Sequence, residues 1–170
     1  TSGTTTQAAL TTTDAAITNS GSGSNTIASV VASGDVTVTT SGAGTFEITD
    51  ANIDGTGASL VVNGADQTGT VDVTATNTSV ATTLTGGSGA DTLIGGSVAD
   101  VISGGAGIDV LTGNAGDDSI TGGAGNDVID GGSGNDTLTG GDGDDQITTG
   151  TGFDNVSAGA GTDSIIVGSS

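Results

Sequence analysis

Residues 86–166 read GGSGADTLI GGSVADVIS GGAGIDVLT GNAGDDSIT GGAGNDVID GGSGNDTLT GGDGDDQIT TGTGFDNVS AGAGTDSII, nine consecutive nonapeptide units without a gap. In every unit the sixth residue is aspartate and the eighth is aliphatic. A repeat of this kind indicates a solenoid, because each unit buries its apolar side chain only by stacking on its neighbours. A flexible glycine-rich linker would not keep both residue types in phase from the first unit to the last.

Each unit divides into a turn and a short strand. The glycine-rich first part forms a turn whose carbonyl oxygens can point inward, and the aspartate ends that turn. The rest of the unit forms a strand whose middle side chain points inward, while positions seven and nine face solvent. The aliphatic side chains predicted to fill the narrow interior are Leu93, Ile102, Leu111, Ile120, Ile129, Leu138, Ile147, Val156 and Ile165.

The units resemble the RTX, or haemolysin-type, calcium-binding nonapeptide GGxGxDxUx. The resemblance implies an all-β fold, a parallel β-roll in which two nonapeptides form one coil and Ca²⁺ lies between stacked turns. The chain departs from the pattern at Val98, Asn114, Thr149 and Ala158. Val98 weakens its turn most, since a β-branched residue resists the positive φ that glycine supplies.

Stacking at two units per coil arranges the predicted metal ligands in two ladders. One ladder contains Asp91, Asp109, Asp127, Asp145 and Asp163, and the other contains Asp100, Asp118, Asp136 and Asp154. The gaps between successive turns predict up to about seven Ca²⁺ ions, each bound by carboxylates and carbonyl oxygens. The carbonyl ligands expected are those of Gly86, Gly87, Gly89, Gly95, Gly104, Gly105, Gly107, Gly113, Gly116, Gly122, Gly123, Gly125, Gly131, Gly132, Gly134, Gly140, Gly141 and Gly143.

Charge also points to metal binding. Residues 86–170 carry 13 acidic residues, so seven Ca²⁺ ions would bring this segment to +1. Without metal, carboxylates roughly 5 Å apart would repel by about 3 kcal/mol per pair at an effective dielectric constant near 20. The sequence therefore predicts a roll that is unstable without calcium, and Mg²⁺ suits the site less because it keeps its waters and demands octahedral geometry.

The composition excludes several classes of function. The chain of 170 residues has 20 acidic residues, no Lys, Arg or His and no Cys, which gives a formal charge of −20. Binding to nucleic acid or to an anionic membrane needs basic residues, and no apolar run is long enough for membrane insertion. Sites that need thiols or imidazoles are excluded, and the oxygen ligands that remain suit hard cations.

Residues 1–79 are predicted to be a separate Thr-rich β region, with the roll occupying 80–170. Strands are expected at 26–31, 35–40, 45–49, 59–62, 70–76 and 80–85. Their spacing fits a solenoid that continues the roll or a small β-sandwich, and we favour the solenoid. Because Leu84 lies one repeat length before Leu93, the strand at 80–85 is expected to be a metal-free first strand that shields the end of the roll.

The sequence contains no nucleophile paired with a base and no cofactor loop, so we predict that the protein is not an enzyme. The only candidate carboxylate pair for glycoside hydrolysis is Glu47 with Asp50 or Asp54, and solvated turn residues are the preferred interpretation of these acids. A second hypothesis places calcium at a subunit contact formed by Asp14, Asp50 and Asp54.

The RTX resemblance implies export by the type I secretion machinery of bacteria and folding on calcium outside the cell. The Thr-, Gly- and Ala-rich composition also resembles bacterial surface-layer proteins and fibre subunits. Our main hypothesis is a secreted homopolymer at the bacterial cell surface, with residues 1–13 added as a strand to a neighbour. One outer row of small hydroxyls suits lateral packing: Ser103, Thr121, Thr139 and Ser157.

Two alternatives remain. The chain is also compatible with a calcium-dependent folding and export module of a larger secreted enzyme or adhesin. A third interpretation is ice binding by rows of threonine. Asp130 and Ile94 count against it because they interrupt the outer rows.

Overall fold

The structure, a computed structural model, describes residues 5–7, 10–55, 57–76 and 78–169. These residues form twenty β-strands and no helix, and so include no helix that could cross a membrane. The strands are β1 (Thr5–Gln7), β2 (Leu10–Thr12), β3 (Ala15–Ser20), β4 (Asn25–Ile27), β5 (Val30–Ala32), β6 (Val36–Gly42), β7 (Phe46–Ile48), β8 (Ala51–Ile53), β9 (Leu60–Gln67), β10 (Val71–Thr74), β11 (Thr82–Gly87), β12 (Thr92–Ile94), β13 (Val101–Ala106), β14 (Val110–Ala115), β15 (Ser119–Ala124), β16 (Val128–Ser133), β17 (Thr137–Asp142), β18 (Gln146–Thr148), β19 (Asn155–Ala160) and β20 (Ser164–Ile166).

The strands form three parallel sheets that stack along one axis. Sheet I runs the length of the molecule in the order β1-β4-β7-β10-β12-β14-β16-β18-β20, and sheet II runs opposite it in the order β3-β6-β9-β11-β13-β15-β17-β19. Within the described residues, sheet III contains only β2, β5 and β8. The coils that include these strands therefore have three sides, and the later coils have two.

The length of a coil follows from the number of its sides. In the three-sided half the offset between paired strands varies, since Thr5 pairs with Asn25 and Phe46 pairs with Val71. From β11 onward the register is constant, and Thr83 pairs with Val101, the residue exactly two repeat units later. The loss of the third side thus shortens the coil to two repeat units.

The solenoid prediction for the first half is confirmed, and the sandwich alternative is wrong, because every pairing of the described strands is parallel. Within it, the predicted strand at 26–31 is two strands, β4 and β5, since Ala28 and Ser29 form a corner. The sequence pattern also missed the short strands β1, β2, β3 and β8.

One continuous core fills the solenoid, and aliphatic rows run along its middle. The eighth-position side chains from Leu93 to Ile147 are fully buried, as predicted, whereas Ile165 in the last coil is 46% exposed. Leu84 is also buried, but its strand does not shield an end as expected. Instead β11 pairs with β9 on one edge and β13 on the other, because the three-sided coils continue the stack.

The corners of the core change character along the axis. In sheet I the inward corner row passes from Phe46 and Val71 to Asp91, and in sheet II it passes from Leu60 and Thr82 to Asp100. All of these side chains are buried. The three-sided half therefore fills its corners mainly with apolar side chains, and the two-sided half fills them with carboxylates.

Candidate metal centre

Seven consecutive repeat units, from residue 104 to 166, share one turn conformation. Their second and fourth residues all have positive φ, between 75° at Asn114 and 141° at Gly161. Glycine adopts this conformation without strain, and asparagine tolerates it better than most other residues. The units 86–94 and 95–103 are fully described and contain no residue with positive φ, so these two units turn differently.

The sixth-position aspartates stand in two rows along the edges of the roll. Each Oδ1 accepts a hydrogen bond of 2.7–3.0 Å from a backbone N–H one coil nearer the N-terminus. The donors to Asp91, Asp100, Asp109, Asp118, Asp127, Asp136, Asp145, Asp154 and Asp163 are respectively Val71, Thr82, Asp91, Asp100, Asp109, Asp118, Asp127, Asp136 and Asp145. These bonds fix each carboxylate and leave its second oxygen for another partner.

In the seven units that begin with glycine, this first residue leaves a space beside that second oxygen, which we call a cradle. A β-carbon placed on Gly86, for example, would lie within 3.0 Å of both Asp91 Oδ2 and the Gly104 carbonyl oxygen of the next coil. The same two kinds of oxygen flank the cradles at Gly95, Gly104, Gly113, Gly122, Gly131 and Gly140. Ca²⁺ binds oxygens at roughly 2.3–2.6 Å, so a glycine here leaves the room that an ion needs.

Six buried carboxylate oxygens at these cradles have no hydrogen-bond partner in the part of the chain that the structure describes. They are the Oδ2 atoms of Asp91, Asp109, Asp118, Asp127, Asp136 and Asp145. A buried carboxylate oxygen without a partner is costly, and native proteins rarely leave one unsatisfied. The donor set therefore fits a hard cation, which would neutralise the carboxylates and join adjacent coils.

Backbone oxygens must supply most of the coordination. Among the described residues, no three acidic side chains converge on one point. The first-position carbonyls that face the cradles include those of Thr149 and Ala158, which the sequence analysis missed because it considered only glycines. By contrast, the second- and fourth-position carbonyls, such as those of Gly105 and Gly107, face a glycine of the next coil. Their predicted role as ligands stays a prediction.

Burial makes these carboxylates reluctant to ionise. Desolvation raises the pKa of Asp91, Asp118 and Asp127 from 3.8 to about 6, against the opposing effect of the backbone N–H bonds. Desolvation also raises the pKa of Asp100, Asp109 and Asp136. A bound cation would remove this penalty by favouring the charged form.

A second pair of rows lies outside the aspartate ladders, at the fifth position of the repeat. Asp117 Oδ1 accepts a 2.8 Å hydrogen bond from the Asn135 N–H, and Asn135 Oδ1 accepts one from the Phe153 N–H. On the other edge Asn126 accepts from Asp144, and Asp144 accepts from Thr162. Each fifth-position side chain thus accepts from an N–H one coil nearer the C-terminus, whereas each sixth-position aspartate accepts from an N–H one coil nearer the N-terminus. Asn or Asp at position five of successive units, from Asp117 to Asp144, was the available signal.

The other acidic residues singled out by sequence lie elsewhere. Glu47 is on the outer face of sheet I, where it accepts hydrogen bonds from Thr26 and Thr49. Asp14 accepts a hydrogen bond from the Asp35 N–H at a corner of the three-sided half. The proposed calcium contact of Asp14 with Asp50 and Asp54 stays a prediction.

The stacked parallel strands and the carboxylate cradles define a calcium-binding parallel β-roll. The family model of the RTX calcium-binding nonapeptide repeat (4 copies) matches residues 83–102, 103–138 and 139–169, which together make up just over half of the chain. The chain therefore belongs to the RTX calcium-binding nonapeptide-repeat family, and its roll binds Ca²⁺. No curated protein and no solved structure matched the chain.

Proposed function

We propose that the chain is a secreted bacterial structural protein that folds on extracellular Ca²⁺ and then associates with copies of itself into a surface layer or filament. RTX repeat proteins are typically secreted, and their β-roll is a structural calcium-binding domain rather than a catalytic one. Extracellular calcium modules bind with Kd values of roughly 10⁻⁴–10⁻³ M, which keeps such a roll unfolded in the cytosol during type I export.

The proposal of self-association depends on one outer surface of the solenoid. We call it the hydroxyl face, and it comprises the two outward rows of sheet II. The first row contains Ala16, Thr37, Val61, Thr83, Val101, Ser119, Thr137 and Asn155. The second row contains Thr18, Thr39, Asn63, Thr85, Ser103, Thr121, Thr139 and Ser157.

Neither row of the hydroxyl face contains an acidic residue, although the chain has 20 of them. The outer rows of sheet I, in contrast, include Glu47, Asp72 and Asp130. Ile94 and Asp130, which count against ice binding, lie in an outer row of sheet I. They therefore do not interrupt the rows of the hydroxyl face on sheet II. Two copies of an anionic chain repel least when they approach through a surface without charge, which supports side-by-side packing on this face.

The proposal is tested by analytical ultracentrifugation and electron microscopy of the chain at millimolar calcium. We expect the wild-type chain to associate and the double variant Thr121→Asp, Thr139→Asp to remain monomeric. The matched control is Thr112→Asp with Thr148→Asp, which adds the same charge at the same repeat position on sheet I. Equal association by both variants would exclude the hydroxyl face as the interface.

The alternative function is a folding and export module of a larger secreted enzyme or adhesin. This alternative predicts calcium-dependent folding without association, so a wild-type chain that stays monomeric at high concentration would support it. Strand addition by residues 1–13 stays a separate prediction. In that segment β1 and β2 pair with β4 and β5, and no described strand pairs with their other edges.

A further inference from the structure

We infer that the cradle between Asp100 and Asp118 is closed by the protein's own N–H groups and holds no calcium, so that the roll binds six ions and not seven. Among the described ladder aspartates that are buried, Asp100 alone has hydrogen bonds to both carboxylate oxygens. Its Oδ1 accepts from the Thr82 N–H at 2.7 Å, and its Oδ2 accepts from the Gly96 N–H at 2.6 Å. The second N–H therefore satisfies the oxygen that, at the other six buried ladder aspartates, has no partner among the described residues.

Two departures from the repeat pattern meet in this same gap. Val98 replaces the fourth-position glycine of one turn, and Asn114 replaces the second-position glycine of the turn stacked on it. The Asn114 side-chain amide donates a 2.9 Å hydrogen bond to the Gly95 carbonyl oxygen. The gap therefore contains one N–H donor directed at a cradle oxygen, that of Gly96 to Asp100 Oδ2, and a second donor, the Asn114 amide, that joins the two turns across the gap. The Gly96 N–H supplies Asp100 Oδ2 with the positive partial charge that an ion would supply at the other cradles.

The neighbouring gap between Asp91 and Asp109 shows whether the φ angles of the turn or the Gly96 N–H closes the cradle at Asp100. The turn of residues 86–91 also lacks positive φ angles, like the turn before Asp100. Nevertheless Asp91 Oδ2 has no partner, whereas Asp100 Oδ2 is hydrogen-bonded. The lack of positive φ angles alone thus does not close a cradle, and we assign the closure to the Gly96 N–H.

The six cradles that remain open are those of Gly86 with Asp91, Gly104 with Asp109, Gly113 with Asp118, Gly122 with Asp127, Gly131 with Asp136 and Gly140 with Asp145. With 13 acidic residues between 86 and 170, six Ca²⁺ ions leave this segment at −1. The closed cradle lies where the sheet II corner changes from Leu60 and Thr82 to aspartate. Asp100 is thus the first aspartate of the sheet II corner row, and it connects the two halves through hydrogen bonds without a metal ion. This inference depends on calcium binding and not on self-association.

Native mass spectrometry of the full chain in saturating calcium counts the bound ions. We expect six ions for the wild-type chain, and a count of seven would overturn the inference. Asp100→Asn and Asp118→Asn are matched substitutions one coil apart in the same ladder, and we expect them to bind six and five ions. Loss of an ion from Asp100→Asn would also overturn the inference.

A gain-of-site variant keeps the inference testable if Asp100→Asn fails to fold. The double substitution Val98→Gly with Asn114→Gly restores the repeat pattern on both sides of the gap. We expect this variant to bind seven ions, with circular dichroism confirming that the roll has formed. A count that stays at six would show that these two side chains do not close the cradle.

Discussion

Asp144 and Asp145 are adjacent acidic residues with different tasks, because consecutive positions of the turn point in different directions. Asp145 is buried, and its Oδ2 lies unpaired at the cradle of Gly140. Asp144 is exposed, and its Oδ1 accepts a 2.7 Å hydrogen bond from the Thr162 N–H. Position within the nonapeptide, and not charge, therefore decides which carboxylate faces a cradle.

Asp145→Asn should weaken calcium binding more than tenfold at one site, because it removes a charged ligand oxygen from the cradle. Asp144→Asn should leave calcium binding unchanged and cost at most about 1 kcal/mol of stability, since the asparagine oxygen can still accept the bond. Isothermal titration calorimetry with calcium measures both variants. Equal losses of affinity would mean that net charge, and not the cradle, governs binding.

The raised pKa values predict that protons partly replace calcium. In the folded roll the pKa of Asp91, Asp118 and Asp127 is about 6, against 3.8 ordinarily, so the folded calcium-free chain binds protons more tightly than the unfolded chain. The resulting stabilisation is full below the ordinary pKa and is lost as the pH rises through the raised one. We expect the calcium-free roll, which unfolds at pH 7, to regain β-structure at pH 5, as measured by circular dichroism.

The control for this pH dependence is the triple variant Asp91→Asn, Asp118→Asn, Asp127→Asn. Because it removes the three carboxyl groups whose pKa is raised to about 6, its circular dichroism should change less between pH 5 and pH 7. A calcium-free wild-type chain that is equally stable at both pH values would contradict the predicted proton uptake.

At the scale of the turn, the first-position glycine keeps the cradle open. Gly122→Ala should reduce calcium affinity at least tenfold, because the added methyl group would meet both Asp127 Oδ2 and the Gly140 carbonyl oxygen. Gly57→Ala is the control, since its φ of 80° strains an alanine while, apart from its chain neighbours, no described residue has an atom within 4 Å of the added carbon. Calcium titration followed by circular dichroism separates a blocked cradle from general backbone strain.

The repeat allowed the elements of the second half to be predicted, while the first half was predicted only in outline. A fixed phase for Asp127 and Ile129 indicates one turn and one strand per unit, whichever residues fill the solvent positions. Sheet III has no such phase, because β5 and β8 lie in coils of different lengths. The Gly96 N–H bond to Asp100 Oδ2, on which the proposed closed cradle depends, could not be predicted either, since the repeat pattern does not fix the direction of a single N–H.

At the scale of the whole molecule, the two halves should respond differently to removal of calcium. Apolar side chains such as Phe46, Val71 and Leu60 fill the corners of the three-sided coils, whereas aspartates fill those of the roll. Burial of each large apolar side chain contributes roughly 1.5–3 kcal/mol without any ion. We therefore expect residues 25–75 to stay folded in a calcium-free chain at pH 7 while residues 104–166 unfold.

Hydrogen–deuterium exchange with and without calcium measures this difference along the chain. Amides of β6, β7 and β9 should keep their protection in calcium-free buffer, and amides of β14 to β19 should lose it. Loss of protection in both regions at once would show that the solenoid folds as a single cooperative unit. The predicted boundary at residue 80 would then not separate two folding units.

The passage from three sides to two means that the first and last described coils differ in cross-section. If a second copy were placed in line with the first, β20 and β19 would meet β1 and β3, while β2 would face no strand. An in-line contact between these two described edges would therefore leave one side of the three-sided coil uncovered. The outward rows of sheet II run past this change in width without interruption, so the side-by-side contact proposed above does not depend on matching the edges.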